Sequence, residues 1–265
     1  MAQSHKYNFI ARGEGQPVIL LNGQFMPIST WEQTIEDLQR WYRVIALEFP
    51  NQGTSPTYSD YNSMLDYSKY LLDFLDSIGI SPDDAIVFGL SFGANIIRTL
   101  TLKMNVNLKA IIMGGISPIS GGSANGKEYG EIYSLIENGE FEKFALMYYA
   151  SVFSDQFKWD NIEIIQFAAK KLKENYEKRP DALIALIQTS ESFYHMMQDV
   201  EEKYSCDIHI IAGKYDQYVD YKVAKAYAGD VNARFYTING GHAFTVENNF
   251  DFMSILHDIL RNYDP

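Results

Sequence analysis

The stretch Ile86-Val87-Phe88-Gly89-Leu90-Ser91-Phe92-Gly93-Ala94-Asn95-Ile96-Ile97 decides how the rest of the chain is read. It passes from an apolar strand pattern, through Gly-x-Ser-x-Gly, into a helical pattern. A serine at the tip of a tight strand-to-helix turn is held exposed, and small residues two places to either side let the flanking backbones pass closely. The pentapeptide alone is common by chance, so its surroundings must carry the reading.

On the N-terminal side, strand patterns are expected over residues 7–11 and 17–22, joined by a turn at Gly13-Glu14-Gly15. The second is apolar on both faces, as a central strand of a covered sheet would be. Ser29-Thr30 offers a cap for a helix over 31–38. A strand over 43–49 leads into the turn-rich Pro50-Asn51-Gln52-Gly53-Thr54-Ser55-Pro56, and a helix over 63–78 precedes the central strand at 85–91. Beyond Ser91, a helix over 94–104 and a strand over 109–115 continue the alternation. Strands alternating with helices through short connections predict an α/β fold, a mostly parallel central sheet covered by helices on both faces.

The alternation stops over 118–205, where only helical patterns occur, at 126–136, 140–153, 161–176 and 181–204, the last with a break near Ser190. This stretch predicts an all-helical insertion, with residues 1–117 and 206–265 forming the core. Its many aromatic residues mostly pack helices together, while some are candidates to line an apolar cleft. Alternation resumes with a strand from 207, a helix over 223–227, a strand over 233–238 and a closing helix over 250–262.

Composition narrows the function classes. The 34 acidic against 22 basic residues leave a formal charge of −12, which disfavours nucleic acid and anionic membrane surfaces as partners. Cys206 is the single cysteine, which excludes an intrachain disulfide and a cysteine-based metal cluster. With neither an apolar leader nor a run of about 20 apolar residues, the sequence reads as a soluble cytoplasmic protein without membrane insertion. It gives no indication of oligomeric state.

A serine hydroxyl is a weak nucleophile at neutral pH and needs a base, which in turn needs an orienting group. Among five histidines, His242 alone follows a late strand in a glycine-rich turn, Asn239-Gly240-Gly241-His242. Asp216 stands at the carboxyl end of the 207 strand, with Asp220 its nearest competitor. No acidic residue follows the 109–115 strand before Glu128. The chain order is then Ser91, Asp216, His242.

These pieces together resemble the α/β-hydrolase superfamily from about residue 8 to 262. The resemblance rests on Leu20-Leu21-Asn22-Gly23, Glu48-Phe49-Pro50-Asn51-Gln52-Gly53-Thr54-Ser55, Gly89-Leu90-Ser91-Phe92-Gly93, Gly213-Lys214-Tyr215-Asp216 and Gly240-Gly241-His242. It implies a helical cap, no cofactor and no metal. It also implies an oxyanion hole from the backbone N–H groups of Phe92 and Gln24. The chain departs from the common pattern at Asn22, where histidine is usual, and at Glu48 with its single Gly53. Shorter stretches (Val18 to Phe25, Glu48-Phe49-Pro50, Tyr215 to Ala224) are similar to acyltransferases of this fold that join 3-hydroxyacyl chains.

The resulting expectation is a serine hydrolase forming a covalent acyl-enzyme on a small-molecule ester or thioester, free or carrier-bound, with an apolar acyl group. Phe25, Phe144, Tyr148 and Phe193 are the candidate substrate contacts. An acyltransferase, an amide-cleaving peptidase and a non-catalytic ligand receptor are the alternatives.

Overall fold

The computed structural model describes residues 7–119 and 126–263. Seven strands form one sheet in the order β1-β3-β2-β4-β5-β6-β7: β1 Asn8–Arg12, β2 Pro17–Leu21, β3 Arg43–Glu48, β4 Ile86–Leu90, β5 Ala110–Gly114, β6 Asp207–Gly213 and β7 Arg234–Ile238. Only β1 is antiparallel, pairing at the edge with β3. The remaining pairs are parallel, as the strand-helix alternation predicts.

Residues alternate sides along a strand, and here the two sides feed two cores. Ile19, Leu21, Ile45, Leu47, Val87, Ile111 and Met113 join one cluster. Val18, Leu20, Val44, Ala46, Ile86, Phe88, Ala110 and Ile112 join the other. That is why β2 to β5 read as continuous apolar runs: neither face meets water.

Helix α1 (Glu32–Leu38) packs on the second cluster. It differs from expectation at its start. Ser29 and Thr30 lie inside a tight turn over Ile28–Trp31, and α1 begins without a side-chain cap. Helix α2 (Met64–Ser77) opens with a capping box between Ser63 and Asp66, satisfying two backbone donors reciprocally. Helix α3 (Phe92–Arg98) begins directly after Ser91 and widens over Thr99–Lys103 into a looser turn. There the hydroxyls of Thr99 and Thr101 donate back to the carbonyls of Asn95 and Ile97 at 2.8 Å, a contact that bends helices.

Between β5 and β6 run α4 (Gly126–Glu137), α5 (Phe141–Val152), α6 (Asp155–Asp160), α7 (Ile162–Tyr176) and α8 (Pro180–Met197). No strand occurs there among the described residues. Leu135, Phe144, Leu172 and Leu183 share one apolar cluster with the sheet. Two details correct the sequence reading. Helix α8 passes through Ser190 unbroken and stops at Met197, and the chain to Tyr204 is irregular. Helix α6 spans under two turns, too short for a periodicity to reveal. Helices α9 (Tyr221–Asp230), α10 (Phe244–Glu247) and α11 (Asn249–Leu260) complete the chain.

Candidate active site

Ser91 occupies a backbone conformation that L-residues rarely adopt, φ 50° and ψ −103°. The turn is tight enough that its glycines are sterically required. A Cβ on Gly89 would fall 2.6 Å from Ala94 N, and one on Gly93 would fall 2.7 Å from Leu21 O. The Ser91 N–H donates to Gly114 O at 2.7 Å, fastening the turn to the end of β5. Phe92 opens α3, where the first N–H groups have no partner within the helix and the helix dipole favours negative charge.

Asp216 follows β6. Its Oδ1 accepts the Tyr218 and Val219 N–H groups at 2.8 and 3.0 Å, and its Oδ2 accepts from His242 Nδ1 at 2.7 Å. The carboxylate is therefore fully used, and its side chain is 1% exposed. Because a carboxylate only accepts, Nδ1 carries the proton and Nε2 is the basic nitrogen of the neutral ring. Burial opposes the charged ring, but the charge and hydrogen bond of Asp216 outweigh it, so the His242 pKa is raised above the ordinary 6.5. Asp220 has another task. It caps α9 by accepting the Lys222 N–H at 2.8 Å.

The His242 loop is held from the helical segment. Glu247 Oε1 accepts from both Gly241 N at 2.9 Å and Ser154 N at 3.0 Å, and Ala243 N donates to Val152 O at 2.9 Å. The imidazole lies against Gly115, where a Cβ would sit 2.7 Å from His242 Cε1. Ser91 and His242 are thus both placed by the end of β5, and both line a cavity of about 800 Å³.

Gln24 and Phe25 form another wall. Asn22 accepts from Trp31 Nε1 at 2.6 Å and donates to Met26 O at 2.7 Å, so an asparagine secures this loop from within. Glu48 holds the neighbouring loop, accepting N–H groups from Ile28, Thr54 and Ser55 at 2.9–3.1 Å. Phe25 has φ 60° and packs edge-on against Phe144, Tyr148 and Tyr176. Tyr148 donates its hydroxyl to Gln24 O at 2.7 Å, and Gln24 Nε2 donates to Leu186 O at 2.9 Å.

Of the sequence candidates, Ser91, His242, Phe92, Gln24, Phe25, Phe144 and Tyr148 line the cavity, and Asp216 stands behind His242. Phe193 does not line it. Its ring is fully buried under the Arg98 guanidinium, 5.6 Å from the ring centre, because its side of α8 faces α3. The next residue, Tyr194, reaches the cavity instead, with Ile187 and Ser190. These three sit at i, i+3 and i+7, a helical face that spacing alone could have singled out. Asn95, one turn beyond Ser91, also lines the cavity. Among the described residues no group of three His, Cys, Asp or Glu side chains could hold a metal ion, and no helix is long and apolar enough to cross a membrane.

Known proteins resemble this chain in sequence and in fold. At 22% identity the chain aligns over 98% of its length with 80% of a monoacylglycerol lipase, abhd6-B, from Xenopus laevis. Other curated relatives are matched over less than half of their length. The (E)-2-((N-methylformamido)methylene)succinate hydrolase of Acinetobacter baylyi is 23% identical over 31% of each chain. The pimeloyl-[acyl-carrier protein] methyl ester esterase of Vibrio campbellii is 26% identical over 40% of this chain and 39% of its own. Among solved structures, a thermophilic esterase from Thermogutta terrifontis superposes with a TM-score of 0.81 at 17% identity, covering 98% of this chain and 94% of that one. Residues 18–253, which include both loops, the serine turn, Asp216 and His242, match the model of the alpha/beta hydrolase family, and the chain belongs to that family.

Proposed function

We propose that the protein is a serine hydrolase that cleaves an uncharged ester or thioester through a covalent acyl-enzyme. The observation that carries this reading is the 2.7 Å bond from His242 Nδ1 to Asp216 on a ring that opens onto the same cavity as Ser91.

Ser91 Oγ attacks the carbonyl carbon while His242 Nε2 takes its proton, and Asp216 holds and stabilises the imidazolium. The carbonyl oxygen becomes an anion between the N–H groups of Phe92 and Gln24, each such donor being worth about 3 kcal/mol in the barrier. Collapse of the tetrahedral adduct expels the alcohol or thiol, which receives the proton from His242. Water then repeats the sequence on the acyl-enzyme and frees the acid.

Residues 118–205 serve as the cap. Phe25, Phe144, Met147, Tyr148 and Ile187 provide an apolar wall for the acyl group. The names of the Xenopus and Vibrio relatives describe ester cleavage, which supports an ester over an amide.

The test is a panel of p-nitrophenyl esters and acyl thioesters of graded chain length, with Ser91→Ala as control. Native protein turns over at least one series, and a fluorophosphonate adds to Ser91 by mass spectrometry. Turnover that survives in Ser91→Ala would sink the mechanism.

A further inference from the structure

Gln52 is completely buried in the loop after β3, yet it uses only half of its amide. Nε2 donates to Gly23 O at 3.2 Å, whereas Oε1 has no hydrogen-bond partner among the described residues. A carbonyl can be met only by the NH₂ end, so the orientation of this amide is fixed by chemistry. A buried, unpartnered oxygen costs stability, and a methionine of similar size would avoid that cost. The polar side chain therefore calls for an explanation outside packing.

The peptide it touches supplies one. Gly23 O and Gln24 N–H belong to the same peptide unit. Among the described residues no peptide bond is cis, and a planar trans unit points its C=O and N–H in opposite directions. Gly23 O accepts the Met26 N–H of its own turn at 3.3 Å, and the Gln52 amide holds it from the other loop, so that Gln24 N–H is turned the other way. Gly23 abuts the residue before Ser91, since a Cβ on it would lie 3.6 Å from Leu90 Cδ2. Gln24 lines the cavity, and its N–H makes no hydrogen bond among the described residues.

The anchor is itself rigid. Ser55 N donates to Gln52 O at 2.9 Å, Glu48 binds the Thr54 and Ser55 N–H groups, and Tyr176 donates to Asn51 O at 3.1 Å. Arg179 of α7's trailing turn grips the carbonyls of Gly53 and Ser55.

We propose that Gln52 is the positioning residue that aims the Gln24 N–H at the oxyanion. It touches no substrate and acts through the Gly23–Gln24 peptide. The inference rests on the hydrolase reading above, and it adds a residue whose contribution is confined to the transition state, because only there is the oxygen fully charged.

The experiment is Gln52→Met, which keeps the length but cannot donate, assayed with the best ester from the panel. The expected result is a fall in kcat of about tenfold or more, KM within about twofold of native, and a thermal midpoint no lower than native. A loss of activity without a loss of stability separates positioning from a structural role. Gln52→Leu, which likewise cannot donate and buries no charge, shows the same fall in kcat and guards against misfolding of the methionine variant. Native kcat in either folded variant overturns the proposal, as does a fall matched by an equal rise in KM. Native protein that neither cleaves esters nor takes up fluorophosphonate overturns the hydrolase reading and this one with it.

Discussion

Gly115 and His242 cannot both carry a side chain where they meet: the imidazole Cε1 occupies the space 2.7 Å from where a Gly115 Cβ would be. Gly115 also has φ +62°, so an alanine there is strained twice. Gly115→Ala is expected to cost about 1–3 kcal/mol from the backbone alone. By displacing the ring by a fraction of an ångström to an ångström it should lower kcat about 100-fold. Urea denaturation and ester turnover measure the two effects separately. An alanine variant with native kcat would mean that the ring position is not critical.

The pH dependence follows from the Asp216–His242 pair. In the proposed mechanism His242 works as a base only when neutral, and its pKa is raised above 6.5, so kcat/KM should rise with pH along a limb centred above that value. In Asp216→Asn the raising influence is gone and burial alone acts, so the limb moves down while kcat falls by about 10⁴. Asp220→Asn should leave the limb in place. Stability carries the opposite sign to activity. A raised folded pKa stabilises the protein fully below the unfolded value, and the contribution is lost as pH rises through the folded value. The urea midpoint of native protein should therefore drop more than that of His242→Gln between about pH 6 and about pH 9.

Tyr148 donates to Gln24 O from α5, and burial holds its phenol pKa well above 10, so it remains a donor throughout the working range. Tyr148→Phe removes that bond at a cost of about 1 kcal/mol. It also frees the peptide after Gln24, and kcat is expected to fall severalfold. A change in KM alone would instead mark Tyr148 as a simple wall of the cavity.

Arg98 is wholly buried and pairs with Glu202 at 2.8 Å. Glu202 also accepts the Ile119 N–H at 2.9 Å and the Tyr227 hydroxyl. Arg98→Met removes one partner of a buried pair and is expected to cost about 3–5 kcal/mol, with much of the loss recovered in Arg98→Met/Glu202→Gln. Chemical denaturation of the two variants reads this directly, and equal stability of both would show that the pair is not coupled.

The sheet was legible because it is simple: strands buried on both faces leave unbroken apolar runs, and each ends where a glycine or turn cluster begins. The placement of Ser91, Asp216 and His242 was legible for the same reason, since each follows a strand end. Gln52 was not. It sits in a turn-rich string that reads as a plain loop, and its partner Gly23 is brought near only by the adjacency of β2 and β3. Phe193 was not legible because it and Tyr194, whose rings touch edge to face, stand only about 100° apart around α8, and Arg98 covers the one while the other reaches the cavity. Ser154 and Glu247 were invisible together, lying 93 residues apart.

Ile119 and Glu202 are joined by one hydrogen bond at the two ends of the helical segment, while β5 and β6 on either side of it are already paired. The excursion therefore leaves and returns through a single doorway, closed by one buried cation. Nothing in the sheet has to be rethreaded for the helices to be lengthened, shortened or exchanged. The strand order stays the same whatever the length of the helices between β5 and β6, and the two ends of that segment are clasped beside Arg98.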